Sequence, residues 1–505
     1  MYSVNSKPVI RFSFPVTVNQ STAAAAISFT TDAAVVVPFS VSFSDGDSSI
    51  IIQPSSSLNY LSRYNVAISA TLKSKEGGSL SSATGINFIT GIDSSDKFRI
   101  LSDEVLLDTI QKRTFKYFWD FGHPTSGLAR ERNTSGDVVT SGGSGFGIMS
   151  IITAVNRNFI TRAQGLERLQ KIVDFLKNTA KKVHGAFPHW LNGATGEIVP
   201  FSTKDDGADL VETSYLMQGL LCARQYFNNA DVNETTLRND INDLWNAVEW
   251  SFFRQNNQNA LYWHYSNNYN WDINMQIKGW NECLITYVLA ASSNTHAIPN
   301  EVYDEGWASN GGIKNGNSYL GINLPLGPEM GGPLFFAHYS FLGINPTGLK
   351  DAYADYWEQN KNHTLINYNY CKTNSKNYFG YSNACWGLTA SDIQNGYTAS
   401  SPTNDIGVIA PSAAVSSLPY TPAESMNALK FFYYKLGDKL WKEYGFVDAF
   451  SLKDLWFADS FLAIDQGPQI VMIENYRSGL LWKLFMSCPE VKTGMKKLGF
   501  TSPDL

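Results

Sequence analysis

Hydrophobic and polar positions change their period once along this chain. Over residues 1–95, short runs rich in Val, Ile, Phe and Thr (9–14, 26–29, 35–43, 49–53, 64–72 and 85–90) are separated by turn residues such as Ser44, Asp45, Gly46 and Asp47. That spacing predicts a small all-β, immunoglobulin-like antiparallel sandwich. It holds no His, no Cys and no acidic pair at active-site spacing, so it reads as a spacer or docking module rather than a glycan-binding one. From Ser102 the period becomes 3.6. Ser102 caps a predicted helix whose Leu106, Ile110, Thr114, Tyr117 and Phe118 share a face, and Thr161 caps another carrying Leu166, Leu169, Ile172, Val173 and Leu176. Further helices are predicted at about 145–157, 208–227, 234–254, 274–292, 330–342, 347–363, 421–436 and 467–485. Long loops remain at 183–207, 255–273, 310–329 and 364–420, and long loops in compact domains tend to be functional. A mainly α domain over 96–505, built of helical hairpins closed into an (α/α) toroid, fits this pattern best. No repeat of fixed period supports a solenoid.

Composition narrows the classes. Hydrophobic residues make up 43%, charged residues 17% and aromatics 13%, which excludes disorder. The formal charge of −6, with no basic run, argues against a nucleic-acid partner. No apolar stretch reaches the ~20 residues of a membrane span. The N-terminus lacks a signal pattern, so the expectation is either a cytoplasmic chain or one whose signal has been removed. Five cysteines with no CxxC spacing disfavour a disulfide framework and a zinc knuckle; most are expected as buried thiols, with room for one disulfide such as Cys371 with Cys385.

Three features carry candidate chemistry. Asp205, Asp206, Asp209 and Glu212 crowd into eight residues at the start of a predicted helix. Crowded carboxylates raise one another's pKa, which is how a Glu stays protonated to act as a general acid; helix capping explains one or two of the four equally well. Arg130, Glu131 and Asp137 precede a Gly-rich run, 142–147, that lacks the Gly-Lys-Ser/Thr of a phosphate loop. These three line either a polar pocket or a solvated loop, and the glycines are expected to serve tight loop geometry. Aromatic and hydrogen-bonding side chains interleave at His189 and Trp190, at 262–271, at Trp280 and around Trp386, a surface suited to the apolar faces and hydroxyl fringe of a sugar; singly, each Trp reads more readily as core than as platform, and together in loops they favour a neutral polar ligand. No HExxH motif and no Gly-x-Ser-x-Gly elbow is present, so zinc and acyl-transfer chemistry are disfavoured.

The strings TSGGSGFGIMSIITAVNRNFITRAQGLERL, HGAFPHWLNGATGEIVPFSTKDDGADLVETSYLMQGLL, YLGINLPLGPEMGGPLFFAHYSFLGI and AIDQGPQIVMIENYRSGLLW resemble, in order over about 97–500, the bacterial glucoamylase-like (glycoamylase) family, which includes endo-β-1,2-glucanases. The sandwich resembles bacterial Ig-like modules fused to such enzymes. The resemblance implies an (α/α)6 toroid, a glycoside hydrolase that inverts without metal or cofactor, and a glucan or related oligosaccharide as substrate. It also implies a periplasmic, secreted or outer-membrane-associated protein, monomeric, whose precursor carries a signal and is compatible with a lipid anchor. It assigns Glu212 as general acid. Candidates for the base are Asp392 and Asp137, with Asp405 behind them. Glu329, Glu474 and Tyr476 stand at matching positions and join Arg130, Glu131, His189, Trp190, Asp205, Asp206, Trp280 and Trp386 as candidate sugar contacts. Two rivals are a non-catalytic glycan-binding protein of a polysaccharide-uptake system, and a toroidal lyase using Tyr and His.

Overall fold

The computed structural model describes residues 1–505. Its contacts divide the chain into two units. The first is Met1–Lys97 with two short later segments, Asn377–Gly380 and Ser451–Trp456; the second is the remainder.

In the first unit six strands, β1 (Ile10–Ser13), β2 (Ile27–Thr31), β3 (Phe39–Ser44), β4 (Ser49–Pro54), β5 (Arg63–Ile68) and β6 (Thr84–Ile89), form two three-stranded antiparallel sheets, ordered β1-β4-β3 and β2-β5-β6. Alternate residues point inward, so Ile10, Ile50, Ile52, Phe29, Val66, Ile68 and Phe88 share one core with the short helix α1 (Gln20–Ala26). The expected run 35–43 is strand only from Phe39, because a turn with Ala34 at φ +59° leaves Val35 and Val36 in solvent.

The second unit is helical: α2 (Asp103–Trp119), α3 (Ser141–Asn156), α4 (Arg162–Asn178), α5 (Leu210–Tyr226), α6 (Val232–Ala247), α7 (Leu284–Ser292), α8 (Tyr356–Thr373), α9 (Pro411–Ser416), α10 (Pro422–Lys430), α11 (Gly437–Leu440), α12 (Ala463–Ser478), α13 (Leu480–Met486) and α14 (Pro489–Lys497). Ser102 and Thr161 cap α2 and α4 as expected, the latter in a full capping box. In α3, α5 and α7 nearly every residue is buried, whereas α2, α4 and α6 bury one face, so the former make an inner layer. Within it α3 packs on α5 and α12, α5 on α7, and α12 on α9.

The glycine run belongs to helix α3, not to a loop before it. A Cβ on Gly145 would lie 2.1 Å from the Tyr215 carbonyl oxygen, and one on Gly219 2.3 Å from that of Gly145. Glycine at both positions therefore lets the backbones of α3 and α5 touch.

Four other expectations change. Residues 274–283 are not helical, and 330–342 is a chain of short 3₁₀ turns broken by Pro333 and by Gly331 and Gly332, both at positive φ. The helix expected at 347–363 starts at Tyr356, where Asp355 caps it. The expected 364–420 loop holds the end of α8, a hairpin (Ala390–Ile393 with Gly396–Ala399) and α9. All five cysteines are buried free thiols, so Cys371 and Cys385 are not bridged. No helix is long and apolar enough to cross a membrane.

Candidate active site

The site is assembled where inner helices begin. Asp209 caps α5: its Oδ1 accepts the N–H groups of Val211 and Glu212, both at 2.9 Å. This fixes the first turn and points Glu212 at the start of α3, where the Gly142 N–H donates to Oε2 at 2.8 Å and the Thr140 hydroxyl donates to the same atom at 3.2 Å. Gly142 is required there, since a Cβ would lie 2.5 Å from that oxygen. Oε1 takes no hydrogen bond from the protein, the two donors both going to Oε2.

Burial raises the pKa of Glu212, and the Asp209 charge adds to it; the His189 cation and the two donors to Oε2 oppose the rise. His189 Nδ1 lies 3.1 Å from Asp209 Oδ2. Although burial works against its charge, the surrounding carboxylates, Glu212 foremost, push His189 up to about 9. His264 Nε2 sits 3.3 Å from Asp205 Oδ2 and 3.7 Å from Asp209 Oδ2. Asp205 is pushed up to about 7 by burial and then by Asp209, while hydrogen bonding and the two imidazoles hold Asp209 below the usual range despite its burial. Glu282, just before α7, is likewise pushed up to about 7 by burial, with smaller contributions from Glu212 and Asp209. The Tyr215 hydroxyl, on α5, reaches the Glu282 carbonyl at 3.4 Å. His189, Asp205 and Asp209 also bring one ligand-type atom each within 4.8 Å of one another, a spacing a cation would accept. Asp209 Oδ2 is already paired with the His189 cation at 3.1 Å, and Asp205 Oδ2 faces His264 Nε2 at 3.3 Å.

A second acidic group gathers around the start of α12. Asp392, on the hairpin, faces the Arg132 guanidinium with both oxygens at 3.2 Å and accepts from the Ser460 hydroxyl at 2.5 Å. Arg132 also bonds both oxygens of Glu131. The Asp392 N–H donates to Asp448 at 2.6 Å, and Asp448 meets Asp465 of α12. Between the two groups stands Tyr339, packed by Phe146, Tyr215 and Phe335 at centroid distances of 5.2, 5.7 and 5.1 Å. Burial raises its phenol pKa, and Asp465, Tyr397, Glu282 and Glu212 all add to it, so Tyr339 senses both sets of carboxylates.

Of the expected site residues, Glu212, Asp205 and His189 meet in one cluster, and Glu131 and Asp392 in the other. Asp206 borders the first, accepting from Asn268 at 2.6 Å. Trp190 is half-buried and, with His189, packs on the exposed Phe201, at centroid distances of 4.9 and 4.3 Å. Glu329 is exposed on a 3₁₀ turn.

Other expectations are corrected. Asp137 is exposed and its carboxylate holds the buried His123 at 3.1 Å. Arg130 is spent on the Phe121 carbonyl and ring; Arg132 is the arginine that reaches a site carboxylate. Asp405 is buried and accepts from Tyr370, Tyr381 and the Gly407 N–H. Trp280 and Trp386 are core: Trp280 packs on Phe341 and Tyr356, and Trp386 is fully buried with its Nε1 donating to the Glu424 carbonyl. Glu474 is buried and accepts two hydrogen bonds from Arg157, at 2.7 and 3.1 Å. It lies nine residues along α12 from Asp465, roughly 13 Å at the helical rise. Tyr476, further on still, lines a surface cavity of 430 Å³ with Asp103, Glu104 and Lys430. Arg132, Asp448, Asp465, Tyr339 and Tyr397 have no role in the sequence reading, and His264 and Glu282 enter it only as members of the aromatic stretches at 262–271 and Trp280. One signal was available: like Glu212, Glu282 and Asp465 are acidic residues within a turn of the start of an apolar helix.

Comparison with known proteins follows this geometry. A family model described as "Putative glucoamylase" matches residues 274–489, and one described as "Bacterial Ig-like domain" matches 2–90. The exo beta-1,2-glucooligosaccharide sophorohydrolase (non-reducing end) of Parabacteroides distasonis is 47% identical over 421 residues, 79% of this chain. The chain spans 58% of that relative's length. Among solved structures, an endo-beta-1,2-glucanase from Chitinophaga pinensis with sophorotriose and glucose is 54% identical, with TM-score 0.79, covering 80% of this chain and all of the other. A beta-1,2-glucanase from Parabacteroides distasonis is 38% identical, with TM-score 0.77, covering 99% of this chain and 72% of the other.

Proposed function

Because the chain belongs to the glycoamylase family, we propose that it is a glycoside hydrolase that cleaves β-1,2-glucan or its oligosaccharides with inversion. The observation that carries the reading is a buried Glu212, held protonation-prone at the start of α5, in a unit that also holds a second, Arg132-bound carboxylate, Asp392.

Glu212 gives its proton to the glycosidic oxygen through Oε1, while Gly142 and Thr140 hold Oε2 in place. As Oε1 gives up its proton, the same two donors and the His189 cation stabilise the carboxylate that forms. Asp392 accepts the proton of the attacking water, and Arg132 and Ser460 orient it. Inversion asks for ~6.5–9.5 Å between such carboxyl groups. Trp190 and Phe201, beside His189, offer a stacking surface for a sugar ring.

The closed (α/α)6 toroid belongs to this reading. It is supported by the neighbour order of α9, α12, α3, α5 and α7 and by the 3₁₀ segment that follows α7, whose Ala337 carbonyl accepts from Tyr420 beyond α9. So do action outside the cytoplasm, where polysaccharide is met, and a monomeric state.

The test is reducing-end release from β-1,2-, β-1,3- and α-1,4-glucans by wild type and Glu212→Gln. Cleavage of the β-1,2 linkage that falls about 10²–10⁴-fold in the variant is expected from loss of a general acid. Glycan binding without turnover in wild type would overturn the reading.

A further inference from the structure

Asp448 and Asp465 are 3% and 4% exposed. Asp448 Oδ2 takes the Asp392 N–H at 2.6 Å, but Asp448 Oδ1 and Asp465 Oδ2 are buried and receive no N–H or O–H from any other group. The two carboxyl groups instead bear on each other directly, and close contact between two carboxyl groups needs a proton on one of them. The surroundings supply no substitute. Arg132, the nearest cation, is committed to Asp392 and Glu131. Tyr397 and Tyr339 approach Asp465 only as neutral phenols, and His338, which lines the same small cavity as Asp465, donates to or accepts from Ser417 at 3.0 Å. Two bare carboxylates in that setting would carry an uncompensated buried charge.

We propose that Asp448 and Asp465 hold one shared proton, and that this acid–carboxylate pair is the positioning device for Asp392. Its side chain is oriented by Arg132 and Ser460; its main chain is seated on Asp448, and Asp448 is seated only while Asp465 donates to it. Burial and the Asp448 carboxylate hold Asp465 far above the carboxylate range; burial and the Asp392 charge push Asp448 up to about 7, with the Asp392 N–H and Asp465 opposing the rise, which agrees with a proton retained near neutrality. Loss of that proton sets two like charges against each other and shifts the seat of the Asp392 N–H. The positioning role rests on the hydrolase reading, in which Asp392 is the base; the shared proton does not.

The experiment joins a spectroscopic and a kinetic readout. In wild type with ¹³C-carboxyl aspartate, infrared difference spectra against Asp465→Asn should show a protonated carboxyl band at neutral pH that disappears on alkaline titration. With β-1,2-gluco-oligosaccharides, Asp465→Ala should lose at least about tenfold in kcat with KM little changed, as for a displaced catalytic group. Asp465→Asn, whose amide N–H replaces the proton, should restore most of that loss and extend activity to higher pH. No protonated band overturns the shared proton, whatever the enzyme cleaves. A band with Asp465→Asn as impaired as Asp465→Ala, or with Asp465→Ala unimpaired, overturns the positioning role.

Discussion

The Gly142 N–H donates to Glu212 Oε2 at 2.8 Å, across the contact between the first turns of two inner helices. The proposed acid is therefore held by a backbone group that exists only because α3 and α5 pack at glycine distance.

Gly142→Ala should uncouple that contact. A methyl group there would meet Glu212 Oε2 at 2.5 Å and the Tyr215 ring at 2.8 Å. Displacing the acid by about 1 Å is expected to cost roughly 10²-fold in kcat, since catalytic groups tolerate little misplacement. Steady-state kinetics on β-1,2-glucan check this; unchanged kcat would mean that Glu212 is not held from this side.

His189→Gln should move the alkaline limb of activity to higher pH. Glu212 must be protonated to act, and the His189 cation lowers its pKa. Removing the cation lets burial and Asp209 hold the proton further up. The pH dependence of kcat/KM for wild type and variant reads the shift; a limb that moves down would reverse the assigned sign.

Stability should fall as pH rises between about 5 and 9, by linkage. Asp205, Asp448 and Glu282 are each pushed up to about 7, and His189 to about 9. All four are raised on folding, so each contribution is complete below the unfolded pKa and is lost as pH rises through the folded one. Asp209 acts oppositely, only at acidic pH, because its folded pKa is lowered. Calorimetric Tm across this range should decline, and Asp448→Asn should flatten the part near neutrality.

Glu474→Ala should unfold the protein more readily without touching catalysis in what remains folded. It strips Arg157, Gln111, Asn156 and Ser478 of a shared buried acceptor. Breaking a buried ion pair costs about 3–5 kcal/mol, and the partial exposure of Arg157 places this case at the lower end. Denaturant midpoints measure the loss; kcat per folded molecule reports the independence of the site.

The period change near Ser102, the caps Ser102 and Thr161, and the β-rich runs 9–14 and 49–53 were legible because each is set by neighbours within a turn or a strand. Glu212 was legible for the same reason, as an acidic residue crowded by three others at a helix start. Asp392 was visible only as an isolated Asp in an apparent loop. Trp280 and Trp386 have the composition of a sugar platform, yet packing turned them into core, since one sequence pattern serves both uses. The pairing of Arg132 with Asp392 spans 260 positions and that of Asp448 with Asp465 joins a loop to a helix start, contacts that no local pattern encodes. The sequence alone determined where sheet gives way to helix, how the capped helices begin and where an acid cluster stands, through local sterics, capping and hydrophobic period. Only the tertiary structure decided which carboxylates face one another and which are starved of water, because burial and long-range contact set their protonation.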